Sequence, residues 1–289
     1  MIDALSNTLS SLTRKMAFIP GMYFVTKPLH SLFSRHYSKN PNMAWRIISL
    51  NGYKIKVNLS YRMAALIYWR GAHEWAPMFL MQKEIKRGMV VYDIGANIGE
   101  VSLFCAHLLG DMSKVYSFEP MNETFEVLKE NIALNNYQTR ITPFNIALSD
   151  QNGESDLFAA TEYDAHGSFE DGLHTLYATS DRSVLLHKIK METLDEKQKE
   201  LAPPDFIKLD VEGAELHVLR GAINTLEKYH PKILLEFNAD TFEAAGYSQD
   251  DVLNFLNQFG YKFYQVETRG VLKELDQTKM PSLVNLYCV

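Results

Sequence analysis

Two carboxylates stand at the ends of apolar runs, with a glycine turn between them. These are the residues of this chain best suited to chemistry. Val90-Val91-Tyr92-Asp93 is the first run, and Ile94-Gly95-Ala96-Asn97-Ile98-Gly99 follows directly. Val115-Tyr116-Ser117-Phe118-Glu119-Pro120 is the second, at the spacing of a βαβ unit. A strand, a glycine turn and a helix start bring backbone close to a ligand at the carboxyl edge of a parallel sheet. Glu119 is then set to accept hydrogen bonds from both hydroxyls of a ribose. The pattern describes a nucleoside pocket.

The turn also limits which nucleoside. Asn97 stands where a dinucleotide fingerprint has its middle glycine, the residue that lets backbone touch a pyrophosphate. A cofactor without phosphate, such as S-adenosylmethionine, fits better. Its amino-acid end can meet the turn, and its cationic centre tolerates nearby carboxylates.

A second set of candidates lies further along. In Phe206-Ile207-Lys208-Leu209-Asp210, strand alternation points Lys208 and Asp210 to one face and Leu209 to the other. Glu236 closes the apolar run that starts at Ile233. Methyl transfer is an in-line displacement, so the protein aligns acceptor, methyl and sulfur and can remove a hydroxyl proton. Asp210 and Glu236 are the candidate base or positioning groups. Lys208 is a candidate beside them, or an ion-pair partner of Glu236 or Asp93. His166, in a polar segment with Ser168, is a further candidate base, since histidine titrates near neutrality. Asp210, Glu212 and Glu236 would be the ligands of a divalent metal such as magnesium. Acidic strand ends are common without one, and no metal is expected.

These residues need a scaffold. Strands are expected at 90–93, 115–119, 141–148, 206–210 and 233–237, alternating with helices. The helices are 98–109, one capped by Asn122, 215–229, and 250–259 ended by Gly260. Segments 261–266 and 283–289 then read as a closing antiparallel hairpin separated by a short polar stretch. Residues 149–183 are long for a connection and predict short antiparallel strands or a lid. Seven strands leave no room for the second domain of a nicotinamide dehydrogenase.

Composition agrees. The 289 residues are 46% hydrophobic and 22% charged, enough for a sizeable core. A net charge of −6 argues against general nucleic-acid binding while leaving room for a local basic patch. Cys105 and Cys288 read as buried thiols in a reducing, cytoplasmic setting. No run is long and apolar enough to span a bilayer. Leu5, Leu9, Leu12 and Met16 recur at helical spacing, which predicts an accessory helix packed on the main domain, or else peripheral membrane contact.

The blocks Asp93–Gly99, Phe118-Glu119-Pro120, Asn131–Asn135, Ala147-Leu148-Ser149-Asp150, Thr193-Leu194-Asp195 and Ile207–Glu215 occur in the order seen in FkbM-type methyltransferases. Leu219-Arg220-Gly221-Ala222, Pro231 and Leu235-Glu236 continue the pattern. The chain resembles that family over about residues 66–266, with Lys208–Gly213 the most specific part. The resemblance implies an α/β fold with a seven-stranded Rossmann-like class I methyltransferase sheet, mostly parallel with an antiparallel closing hairpin. Helices cover both faces, and residues 1–65 form a helical and irregular extension to a domain at 66–289. It also implies S-adenosylmethionine as donor and a hydroxyl of a sugar, glycolipid or secondary metabolite as acceptor. The implied donor contacts are Asp93, Gly95, Ala96, Asn97 and Gly99 in the turn. Glu119, Ala147 and Asp210 join them, and so does Glu74 in the looser match Tyr68–Glu74. N-methylation, protein methylation and a non-catalytic nucleoside-binding module remain alternatives on the same scaffold.

Overall fold

In the computed structural model, the described residues are 2–15, 33, 36–37, 39, 43–50, 52–159 and 184–289. They fall into two compact units divided between Glu74 and Trp75.

The first unit holds helix α1 (Ile2–Lys15), strands β1 (Trp45–Leu50) and β2 (Tyr53–Asn58), and helix α2 (Arg62–Arg70). The strands pair as an antiparallel hairpin where irregular chain was expected. Ile48, Leu50, Ile55 and Val57 are buried and supply its apolar face. Helix α1 buries its small polar residues against α2, while Leu9 is only half-buried. Ser6, Ser10 and Thr13 are buried. Thr13 Oγ1 donates to the Trp69 carbonyl at 2.7 Å, and Ser6 Oγ lies 3.0 Å from the Tyr68 hydroxyl. Leu5 and Leu12 face outward, so the leucine spacing marks the helix but not its packed face. Met16 lies outside the described residues.

The second unit begins with α3 (Trp75–Glu84), β3 (Val90–Ile94) and α4 (Glu100–Leu109). Next come β4 (Lys114–Phe118), α5 (Asn122–Leu134), β5 (Ile141–Phe144), β6 (Ala147–Ser149) and β7 (Gly153–Ala159). After them are β8 (Val184–Thr193), α6 (Leu194–Gln198), β9 (Phe206–Leu209), α7 (Glu215–Arg220) and α8 (Ile223–Tyr229). The unit closes with β10 (Lys232–Asn238), α9 (Ala239–Ala244), α10 (Gln249–Asn257), β11 (Phe263–Glu267), β12 (Val271–Glu274) and β13 (Leu283–Cys288).

The main sheet runs β5-β4-β3-β9-β10-β13-β11-β12. Strands β5 to β10 are parallel, while β13 is antiparallel to both β10 and β11. The sheet is mostly parallel and ends in an antiparallel hairpin, as expected. All four residues of β9 are buried, so both faces of the sheet centre are covered.

Four local expectations change. The polar stretch after β11 contains β12, an eighth strand at the sheet edge. The third expected strand is two strands: β5 joins the main sheet, and β6 pairs with β8 in a separate three-stranded sheet with β7. The helix expected over 215–229 breaks at Gly221-Ala222 into α7 and α8. A Cβ on Gly221 would lie 2.0 Å from the Ser149 carbonyl oxygen, so only glycine lets β6 approach there. Asn122 does not cap α5, whose cap position is Met121 with no side-chain cap bond.

Candidate functional site

The glycine turn is built against β4 and β9. A Cβ on Gly95, at φ +83°, would lie 1.7 Å from the Asp210 carbonyl oxygen. One on Gly99, at φ +93°, would lie 2.5 Å from a Leu128 methyl. The close approach that these glycines permit is therefore to the chain's own backbone and core. Asn97 also takes a left-handed conformation, φ +49°, which asparagine tolerates better than most residues.

Every backbone N–H of the turn is already engaged. Those of Gly95 and Ala96 donate to the Phe118 carbonyl at 3.0 and 2.9 Å. The Asn97 N–H donates to Glu119 Oε2 at 2.9 Å, and the Ile98 N–H to Asn97 Oδ1 at 2.7 Å. The Gly99 N–H donates to the Ala96 carbonyl at 2.9 Å. No nest of N–H groups points outward to take a phosphate, and a carboxylate sits beside the turn. The geometry disfavours a pyrophosphate more strongly than Asn97 alone.

Glu119 is buried and fixed by two backbone donors, Asn97 on one oxygen and Met121 on the other, both at 2.9 Å. A carboxylate accepts up to about four hydrogen bonds, and these two donors, one on each oxygen, orient it. Asn145 Nδ2 holds the strand end from behind, donating to the Glu119 and Pro120 carbonyls at 3.0 and 3.1 Å. Asn131, fully buried on α5, donates to the Ile98 carbonyl at 2.9 Å and pins the far side of the turn. The block Asn131–Asn135 marks it in the sequence, but not the carbonyl it holds.

Asp93 lies under the turn rather than at its surface. It is 1% exposed, and its carboxylate accepts from Ser102 Oγ at 2.5 Å. Ser102 in turn contacts Ser117 Oγ at 2.6 Å. Burial pushes the Asp93 carboxyl up to about 6, against the Ser102 hydrogen bond and the attraction of Lys208.

Asp93 and Lys208 are register partners on β3 and β9, so their side chains share a face. Lys208, buried, donates to Asp210 Oδ2 at 2.9 Å. Burial alone would lower the lysine. The attractions of Asp210, Glu236 and Asp93 outweigh it, and the net direction is up. Asp210, Glu212 and Glu236 form an acidic trio whose nearest oxygens lie within 4.8 Å of one another. Glu236 is pushed up to about 10, first by burial and then by repulsion from Asp210 and Glu212. Both effects favour its protonated form. Glu212 reaches the trio from a left-handed backbone, φ +53°. Glu215 turns inward instead, accepting from the Val211 and Gly213 N–H groups, each at 3.0 Å.

The structure thus brings Asp93, Gly95, Ala96, Asn97, Gly99, Glu119, Lys208, Asp210, Glu212 and Glu236 to the carboxyl edge of β3, β4, β9 and β10. Ala147 is buried in β6, where it pairs with Met191 of the smaller sheet. Glu74 is exposed and ends the first unit. His166 and Ser168 lie outside the described residues.

Residues 93–263 match the family model described as the methyltransferase FkbM domain. The chain belongs to the methyltransferase FkbM family. Among curated relatives of this FkbM-family chain, the hexuronic acid methyltransferase AglP of Haloferax volcanii is 27% identical over 179 residues, covering 62% of this chain and 66% of that protein. The 31-O-demethyl-FK506 methyltransferase FkbM of Streptomyces tacrolimicus is 29% identical, covering 48% of this chain and 61% of that one. The chain thus spans less than two thirds of the length of these relatives. The crystal structure of methyltransferase FkbM from Methylobacillus flagellatus is 17% identical, with a TM-score of 0.48, over 74% of this chain and 48% of that one.

Proposed function

We propose that this chain transfers the methyl group of S-adenosylmethionine to a hydroxyl oxygen of a hydroxyl-rich small molecule of sugar, glycolipid or secondary-metabolite type. The observation that carries the donor is the glycine turn with all five N–H groups engaged and the Glu119 carboxylate beside it. That turn suits a ribose and a cationic sulfur, and it repels phosphate. Bound there, S-adenosylmethionine supplies an electrophilic methyl group.

The protein's own work is alignment and proton handling. Glu119 holds the ribose hydroxyls. Asp210, faced by the Lys208 ammonium, accepts the proton of the acceptor hydroxyl. Glu236 keeps its own proton and orients the acceptor as a hydrogen-bond donor. Lys208 is a positioning residue that acts through Asp210. Because Lys208 already gives the trio its cation, the reading needs no metal. The trio's negative charge disfavours an acceptor carboxylate and favours a neutral hydroxyl. The matched relatives are named for a hexuronic acid and for 31-O-demethyl-FK506, which supports an oxygen-bearing small-molecule acceptor.

Calorimetry tests the donor. S-adenosylhomocysteine should bind with micromolar affinity and NAD should not. Binding of NAD without S-adenosylhomocysteine overturns the reading. Mass spectrometry after incubation with a panel of neutral and acidic sugars tests the acceptor, and methylation confined to carboxylates or amines would overturn the hydroxyl assignment.

A further inference from the structure

Charge is divided very unevenly along this chain. Residues 1–74 carry ten Lys and Arg against two acidic residues, a net charge of +8, while residues 75–289 carry nineteen against thirty-three. The overall value of −6 hides a strongly basic segment over residues 1–74. Such an asymmetry marks contact with a polyanionic surface.

The same unit exposes large apolar side chains among its cations. On α1, the buried face is the serine and threonine row. Leu5 and Leu12 stand outward at 55% and 57% exposure, and the helix ends in Arg14-Lys15. On the β1–β2 hairpin, Trp45 and Ile47 are exposed, Ile47 at 60%. Their cross-strand partners are Asn58 and Lys56. The Lys56 ammonium lies 4.5 Å from the Trp45 ring centre, and Lys54 is exposed beside them. Leu5 and Leu12 lie seven residues apart on one face of α1, and Trp45 and Ile47 lie two apart on one face of β1, so these exposed side chains are paired rather than scattered singly.

We propose that the first unit docks on the surface of an anionic phospholipid bilayer, with Leu5, Leu12, Trp45 and Ile47 entering the headgroup boundary and the surrounding Lys and Arg facing lipid phosphates. Basic residues beside outward leucines are the pattern of an interfacial helix. An indole at headgroup depth next to a lysine is the corresponding arrangement on a strand. A nucleic acid would use the cations but gain nothing from Leu5, Leu12 or Ile47. Among the described residues no helix is long and apolar enough to cross a membrane. The inference is independent of the methyl-transfer reading, because it concerns residues outside the candidate site.

The test uses the full chain and sedimentation with vesicles of phosphatidylcholine, alone or with about one third phosphatidylglycerol. Binding should appear only with the anionic lipid and weaken sharply in about 0.5 M salt. Leu5→Ser with Leu12→Ser, or Trp45→Ser with Ile47→Ser, should each lower the partition constant about tenfold or more. S-adenosylhomocysteine affinity, measured alongside, should not change in either variant. Absence of anionic-vesicle binding in the wild type overturns the proposal, as does binding that both variants retain in full. Retention on duplex DNA or RNA without vesicle binding overturns it in favour of a nucleic acid. A dimer in sedimentation velocity that these substitutions dissolve, without vesicle binding, overturns it in favour of a second copy.

Discussion

The backbone carbonyl of Asp210 occupies the space that a side chain on Gly95 would fill, with the oxygen 1.7 Å from the ideal Cβ position. The Asp210 N–H also donates to the Ile94 carbonyl at 3.0 Å. Two motifs separated by more than a hundred residues therefore share one atomic contact. The turn that faces the donor and the strand end that faces the acceptor cannot move independently.

Gly95→Ala should consequently damage both halves of the site. The left-handed φ costs about 1–2 kcal/mol for any other residue, and the backbone collision adds to it. Gly260, at φ +82° with nothing within 4 Å, is the matched control, since alanine there meets strain alone. Urea denaturation should show Gly95→Ala destabilised by on the order of 3 kcal/mol or more, and S-adenosylhomocysteine binding should be lost. Equal destabilisation of the two variants would mean that the Asp210 contact yields at little cost.

Asp210 and Glu236 are both strand-end carboxyls, yet conservative amides should separate them. Asp210→Asn removes the proton acceptor and should lower kcat about a hundredfold or more. Glu236 is pushed up to about 10, which favours its protonated form, so Gln reproduces its donor and acceptor pattern. Glu236→Gln should cost less than about tenfold in kcat, whereas Glu236→Ala should cost more. Steady-state kinetics at saturating donor decides it. A large loss in Glu236→Gln would show that Glu236 works as the ionised base.

The trio of Asp210, Glu212 and Glu236 has the oxygen chemistry of a magnesium site. Lys208 already supplies a cation 2.9 Å from Asp210, and a divalent ion would add to that charge at short range. Turnover should therefore be unaffected by a chelator and unchanged on adding magnesium back. Loss with EDTA and recovery with magnesium would assign the trio to a metal.

What the sequence discloses here follows from the range of each interaction. The glycine turn, β3, β4 and β9 are legible because buried strands and positive-φ glycines are locally encoded. The ordered sheet follows from the alternation of strands and helices. The break between α7 and α8 is hidden, because Gly221 is needed for a contact with Ser149 over seventy residues away. Asn131 belongs to a block that the sequence marks, but its role is hidden for the same reason: its partner, the Ile98 carbonyl, is remote. On α1 the periodicity identifies the helix and misassigns its packed face, since Ser6 and Thr13 find hydroxyl and carbonyl partners on α2 that no periodicity contains.

Asp195 gives the structural meaning of a motif whose role is otherwise obscure. Its Oδ1 accepts from the Thr225 N–H and hydroxyl at 2.8 and 2.7 Å. Its Oδ2 accepts from the Asn224 N–H and side-chain amide, both at 2.9 Å. It thus caps α8 from another element, and its own N–H donates to the Gly221 carbonyl at 2.9 Å. Asp195→Ala should cost about 2 kcal/mol, read as a lower urea midpoint with an unchanged slope. Donor affinity should be retained. A loss of donor affinity without a loss of stability would place Asp195 in the site instead.

Stability should fall as pH rises through the weakly acidic range. Burial pushes Asp93 up to about 6 and Glu215 up to about 7 in the folded chain. Both then bind more protons folded than unfolded between about pH 4 and 7, and unfolding becomes easier as each must ionise in place. The contribution is fully present below the unfolded values and is gone above the folded ones. Asp93→Asn keeps an oxygen to accept from Ser102 while removing the charge, so it should flatten the Asp93 share of the slope, between about pH 4 and 6. Urea midpoints across that interval check it. A wild-type chain that gains stability from pH 4 to 6, with Asp93→Asn gaining less, would mean that the Ser102 hydrogen bond and Lys208 outweigh burial at Asp93.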